Sequence, residues 1–375
     1  MSELEQFQNV VHHRHEYAKQ WKREKGALVF GFFGDYVPEE IPYAAGILPV
    51  KMFGCQKATY IADAHISPEK WCFFCRDCFA EGLSGRYDYL DGLVITVSCF
   101  HLQQSFDSWV LHLPISFHHC LDMPFYVQGD LAKECFLKET ERFVDSLEQF
   151  IGKVISSDAL ERTIRIYNKN RHLMRSIYNS MKVNAPLLSG SQAMEMVLAS
   201  TLMDKVEHNN LLEALLIKGA PKDRDNATGP RLMIIGAETD DTETVKLIEA
   251  LGARVVADLH SSGTRYFWND VSLNGDLVSS IAARYVDKIP LPQMDFPDDM
   301  SASHALKIAI DFKVQGAIIL LMPHCDPFQW DIPVLTKKFQ ENNIPIMVLD
   351  LDPVTITAMT RTRVEAFIEM LNAEG

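Results

Sequence analysis

Arg231-Leu-Met-Ile-Ile-Gly236 is followed by a helical period over 241–251 and then by Gly252-Ala-Arg-Val-Val-Ala-Asp258. Short apolar runs of this kind, bounded by turn formers, read as strands buried on both faces. Two of them joined through a helix make a βαβ unit, whose strands run parallel. The rhythm continues with a helix over 303–312, a strand over 317–322, a helix over 332–341 and a strand over 344–350. An amphipathic helix, Thr360-Arg-Thr-Arg-Val-Glu-Ala-Phe-Ile-Glu-Met-Leu371, closes the series. The same alternation opens the chain. Ala27-Leu-Val-Phe-Gly-Phe-Phe33 reads as a first strand, and Pro38-Glu-Glu-Ile-Pro-Tyr-Ala-Ala-Gly46 as a helix start with proline and acids near its N-terminus. Leu48-Pro-Val-Lys-Met-Phe53 and the run over 93–97 supply further strands. The predicted class is α/β, with two Rossmann-like or flavodoxin-like parallel-sheet domains.

Between them the pattern lengthens into helical periods from 130 to about 219. Asp158, with Glu161 three residues on, has the form of an N-cap and capping box. Leu160, Ile164, Tyr167, Met174, Ile177 and Met181 trace a core-facing stripe that Arg171 interrupts. Helical character continues over 192–216, and the turn-rich stretch Pro221-Lys-Asp-Arg-Asp-Asn-Ala-Thr-Gly-Pro230 marks a boundary. The expected division is an N-terminal α/β domain over 1–129, a helical section over 130–225 and a C-terminal α/β domain over 226–375. The helical section is expected to clamp the two lobes together or to face a partner subunit.

Composition limits the functional classes. The 375 residues are 47% hydrophobic and 23% charged, ordinary for a globular protein, with enough chain for a full core. A net charge of -14 and a pI near 5.4 argue against nucleic acid or an anionic membrane as the main partner. The N-terminus lacks the charged-then-apolar layout of a signal peptide, and the apolar runs are too short to span a bilayer. A cytoplasmic protein is expected, whose eight cysteines are thiols or ligands rather than disulfides.

Three cysteine sites carry the chemistry: Cys72-Phe-Phe-Cys75-Arg-Asp-Cys78, Cys99 after the strand over 93–97, and Cys325 in Met322-Pro-His-Cys-Asp-Pro327. The last two follow buried-strand runs, which places them at the carboxyl edge where ligands bind in α/β sheets. Soft sulfur donors narrow an inorganic centre to zinc, copper(I) or an iron–sulfur cluster. Structural zinc uses paired knuckles, whereas Cys99 and Cys325 come singly, which suits a cluster assembled from two lobes. Cys75 and Cys78 stand close enough to serve in place of Cys72. Cys55, Cys120 and Cys135 read as buried, inert thiols. The His12-His13-Arg14-His15 run reads as a solvated helix face, since no thiolate or carboxylate is placed to complete a metal site. Gly236-Ala-Glu is not a dinucleotide fingerprint and no P-loop occurs, so any ATP chemistry belongs to another chain.

Several stretches together carry a resemblance over nearly the whole length. They are His13-Arg-His-Glu-Tyr-Ala18, Tyr36-Val-Pro-Glu-Glu40, Ala44-Ala-Gly-Ile-Leu-Pro-Val50, the cysteine triplet, and Gly82-Leu-Ser-Gly-Arg-Tyr-Asp-Tyr-Leu-Asp-Gly92. Ser98-Cys-Phe-His101, Thr264-Arg-Tyr-Phe-Trp268, Cys325-Asp-Pro327 and Arg361-Thr-Arg-Val-Glu-Ala-Phe367 complete the set. The chain resembles the family of 2-hydroxyacyl-CoA dehydratase and benzoyl-CoA reductase subunits, and within it the C-type (gamma) subunits of the ATP-dependent reductase branch. Where dehydratase-type relatives carry Cys-Asp after the second strand, this chain has Cys99-Phe100, a departure that weakens the dehydratase reading.

The resemblance implies that Cys72, Cys99 and Cys325 ligate a [4Fe–4S] cluster with one iron not held by cysteine. It implies a larger homologous partner subunit and separate ATPase subunits that activate electrons drawn from reduced ferredoxin. The implied substrate is an aromatic acyl-CoA, reduced to a cyclic dienoyl-CoA. A 2-hydroxyacyl-CoA dehydratase beta subunit is the alternative. His101 and His324, sequence neighbours of two of the cysteines, are the candidate proton donors or groups hydrogen-bonded to cluster sulfur. Glu39 and Glu40 read as a capped helix start.

Overall fold

The computed structural model describes residues 1–55, 60–67, 70–183, 186–219, 228–294, 299–351 and 356–374. Two four-stranded parallel sheets organise it. The first contains β1 (Val29–Phe33), β2 (Leu48–Lys51), β3 (Gly92–Val97) and β4 (Phe117–Asp122), in spatial order β2-β1-β3-β4. The second contains β5 (Arg231–Gly236), β6 (Arg254–Leu259), β7 (Gly316–Leu321) and β8 (Ile346–Asp350), in the order β6-β5-β7-β8. The central strands β1, β3, β5 and β7 are buried at every position. Their unbroken apolar runs thus follow from burial on both faces.

Each sheet reverses its winding between its first and third strands, and such a switch point opens a crevice at the carboxyl ends. The crevice of one sheet is bounded by the residues after β1 and β3, and that of the other by those after β5 and β7.

Most elements match the sequence reading to within a few residues, including the helices Met300–Asp311 and Ala358–Glu374. The helix Asp326–Gln340 starts earlier than its period suggested, because Pro327 in its first turn supplies a preset helical φ. Strand β4 was not anticipated. Its sequence Phe117-His-His-Cys-Leu-Asp122 is an edge strand with exposed and half-buried polar positions, which gives little apolar signal.

The leading segment is two helices, Glu3–His12 and Arg14–Lys25. The expectation of a solvated histidine face holds for His12 and His13 but not for their neighbours. Arg14 pairs with Asp240 at 2.7 Å, and buried His15 faces Glu81 at 3.6 Å. The long helix Ser157–Ser180 is capped by Ser156, which accepts from the Ala159 N–H, and not by Asp158, which lies in its first turn. Its predicted stripe is buried throughout. The boundary stretch 221–230 lies outside the described residues over 220–227.

Helices of the middle section reach both sheets' lobes. Arg171 pairs with Glu40, Arg175 donates to the Phe267 carbonyl at 2.9 Å, and Met181 accepts from Arg231 at 2.8 Å. Glu39 stands at the N-cap of the short helix Glu40–Ala44, as the helix start expected there, but its side chain makes no capping hydrogen bond. Both glutamates are buried: Glu40 accepts from Arg171 and, at 2.9 Å, from Tyr285, while Glu39 accepts from Tyr266 at 3.0 Å and faces Lys205 at 3.7 Å.

Candidate functional site

The two crevices meet in a cavity of about 60 Å³. Gly34 and Asp35 after β1, Ser98 and Cys99 after β3, Ala237 and Glu238 after β5, and Met322 and Cys325 after β7 all line it. Gly34 has a φ of +83°, a turn that a side chain would strain, and it takes the backbone straight off β1 into the cavity wall. The remaining wall is largely apolar, from Phe74, Leu102, Leu291, Pro327 and Phe328.

Cys72, Cys99 and Cys325 all line this cavity, arriving from three separate segments. Each occupies the residue just before a helix: Phe73–Leu83, Phe100–His112 and Asp326–Gln340 respectively. Of the three sulfurs, that of Cys99 accepts the backbone N–H of Leu102 at 3.5 Å. All three cysteines stand at the N-cap of a helix, where the positive dipole end suits negative charge.

Hydrogen bonds from Cys325 and Cys75 hold the Cys72 thiol well below its ordinary pKa. The cost falls on its neighbours. The hydrogen bond to Cys72 and burial push the Cys325 thiol well up, and burial pushes Cys99 up to about 12. Burial in this apolar space thus disfavours further thiolates beside that of Cys72. His101 lines the cavity, and its Nδ1 accepts from the Cys72 N–H at 3.3 Å. Its pKa is raised by the hydrogen bond to the Cys72 sulfur, and its ring lies 5.4 Å from that of Trp71.

Among the described residues, three buried polar atoms of the lining have neither a hydrogen-bond nor an ion-pair partner: Asp35 Oδ2, Ser98 Oγ and Gln293 Oε1. Orphaned atoms of this kind around one cavity indicate a polar or charged occupant. Among the described residues no three His, Cys, Asp or Glu side chains are gathered to grip a single metal ion. The donor set, thiols around one cavity, has the soft character that iron–sulfur clusters, zinc and copper(I) share as a requirement.

A buried charged group adjoins the cavity and was not visible in the sequence. Lys51 Nζ lies 3.0 Å from Asp35 Oδ1 and pairs with Glu238, while Lys288 donates to the Asp35 carbonyl at 2.6 Å. Burial raises Glu238 to about 7 and lowers Lys288 to about 7. Asp35 stays well below the usual carboxylate range because the Lys51 and Lys288 charges outweigh its burial.

A family profile described as 2-hydroxyglutaryl-CoA dehydratase, D-component, matches residues 35–371. The chain belongs to this family. The C-type subunit of benzoyl-CoA reductase from Thauera aromatica is 25% identical over 337 residues, covering 88% of this chain and 86% of that protein. The (R)-phenyllactyl-CoA dehydratase beta subunit of Clostridium sporogenes is 22% identical over 366 residues, covering 97% of both chains. The beta subunit of (R)-2-hydroxyglutaryl-CoA dehydratase from Acidaminococcus fermentans is 24% identical over 377 residues, covering 98% of both.

Within the span matched by the dehydratase profile, the other sequence candidates separate in space. His324 is exposed, has a φ of 61° and is not among the cavity-lining residues. Cys135 is exposed rather than buried, and Cys55 and Cys120 are half-buried, which corrects the expectation of three core thiols. Their positions in a loop, an edge strand and a surface helix face account for this. Among the described residues no helix is long and apolar enough to cross a membrane.

Proposed function

We propose that this chain is the iron–sulfur subunit of an ATP-dependent benzoyl-CoA reductase, working with a larger homologous subunit and an ATP-hydrolysing electron activator. The observation that carries the reading is the meeting of Cys72, Cys99 and Cys325, from both sheets, around one cavity bordered by orphaned polar atoms. These three residues would hold a [4Fe–4S] cluster, with the fourth iron held by none of them. Bound there, such a cluster supplies a low-potential one-electron centre and a Lewis acid.

The protein's own residues complete the chemistry. Three helix N-termini stabilise the negative charge of the thiolates. Phe74, Leu102, Pro327 and Phe328 keep water from the cavity, which strengthens every electrostatic contact inside. His101, whose Nδ1 accepts from the Cys72 N–H, and Glu238 both line the cavity and would be its nearest proton carriers. The absence of a nucleotide motif among these residues suits an ATPase carried by another chain.

A second reading is a beta subunit of a 2-hydroxyacyl-CoA dehydratase, favoured by the near-complete coverage of the two dehydratase relatives. Anaerobic assays of the complex with benzoyl-CoA and with a 2-hydroxyacyl-CoA separate the two. The expected result is ATP-dependent consumption of reductant with benzoyl-CoA. Dehydration of the hydroxyacyl thioester without net electron use would replace the reductase reading.

A further inference from the structure

Four thiols, not three, border the cavity. Cys75 lines it beside Cys72, Cys99 and Cys325 and is 1% exposed. It lies three residues after Cys72, in the first turn of the helix Phe73–Leu83, so the two side chains share one face. Its side chain thus joins those of Cys72, Cys99 and Cys325 in the cavity wall. Cys78, one turn further on, is equally buried but is absent from the cavity lining, and the charges around it are those of Asp77, Asp240, Glu238 and Arg14. The triplet therefore divides, two sulfurs toward the cavity and one away from it.

Burial by itself says little about a cysteine, which packs well as a small hydrophobe. Its place in the cavity wall is the informative feature, because four thiolates around one cavity make the full ligand set of a [4Fe–4S] cluster. We infer that Cys75 is the fourth cysteine of this centre, closing in the resting chain the iron that Cys72, Cys99 and Cys325 leave uncapped. The inference rests on the cluster reading above. Closure is a ligand exchange with no redox change: the Cys75 thiol releases its proton to solvent, its sulfur bonds iron, and the ligand previously held there leaves. While Cys75 is bound, the centre passes electrons only, and Lewis-acid chemistry at that iron requires Cys75 to leave first.

The test uses the full chain, purified anaerobically with its co-purifying subunits, as wild type and as Cys75→Ala, Cys75→Ser and Cys78→Ala variants. Iron, acid-labile sulfide and the electron paramagnetic resonance spectrum are followed during mild ferricyanide oxidation. An uncapped iron is lost under these conditions, leaving a three-iron cluster with its own sharp signal. Wild type and Cys78→Ala are expected to keep all their iron. Cys75→Ala and Cys75→Ser are expected to lose roughly one iron in four and to develop the three-iron signal, reversed by added ferrous iron. A wild-type protein that forms the three-iron signal as readily as the Cys75 variants overturns the inference, and this result needs no variant to fold. Wild type lacking acid-labile sulfide would instead remove the cluster reading itself.

Discussion

Two buried groups of charges join the lobes of this protein, and they are built differently. In the first, Glu39 and Glu40 meet Lys205, Arg171, Tyr266 and Tyr285, and both carboxylates and both cations have partners. In the second, at the cavity, Asp35, Lys51, Glu238 and Lys288 share charge, and Asp35 Oδ2 is left without a hydrogen bond. The complete network locks geometry, since any lost partner strands a buried charge. The incomplete one leaves a carboxylate oxygen unbonded at a cavity wall, where an occupant could meet it. The comparison teaches that burial of charge alone does not mark function here; incomplete pairing beside a cavity does.

The largest expected effect tests the locking role. Arg171→Met leaves Glu40 charged at full burial and should destabilise the fold by about 3–5 kcal/mol in denaturant unfolding. A loss below about 1 kcal/mol would end the distinction between the two groups.

Acid should weaken the same region next. His208 Nε2 donates to the Met196 carbonyl at 2.9 Å and Nδ1 accepts from the Asn170 amide at 2.8 Å, and burial lowers its pKa to about 3. The unfolded imidazole binds its proton near pH 6.5, so between there and pH 3 the unfolded state holds more protons and stability falls with acidification. The loss should reach a few kcal/mol, and His208→Gln should flatten the stability–pH curve over that interval.

The smallest effect is predicted at the cavity. Glu238 is raised to about 7, so between pH 4.5 and 7 the folded state binds more protons and stability falls as pH rises. Glu238→Gln should remove that decline while changing stability at pH 5 by under about 1 kcal/mol, because Lys51 keeps Asp35 as its partner. Unfolding at pH 5 and pH 8 measures both. A loss as large as that of Arg171→Met would make the cavity group another lock.

The sequence carried some of this arrangement openly and hid the rest. The runs of β1, β3, β5 and β7 were legible because strands buried on both faces are apolar at every position, and Cys99 and Cys325 could be placed at carboxyl edges from those runs alone. Strand β4 was hidden because an exposed edge carries no such pattern. Arg171 stood out only as a break in an apolar stripe, and its meaning depends on Glu40, distant in sequence. Asp35, Lys51, Glu238 and Lys288 are single charges at element ends, whose convergence depends on how the two sheets face each other. Cys75 was visible as part of a triplet, but only the helix direction after Cys72 divides it from Cys78.

The central claim is that thiols from both sheets hold iron at their common cavity. Iron and acid-labile sulfide analysis of the anaerobically purified protein, beside Cys99→Ala, Cys325→Ala and Cys135→Ala, tests it most directly. The account predicts about four irons and four sulfides per chain, retained in Cys135→Ala and lost in the other two. Zinc without labile sulfide, or equal iron loss in all three variants, would contradict it.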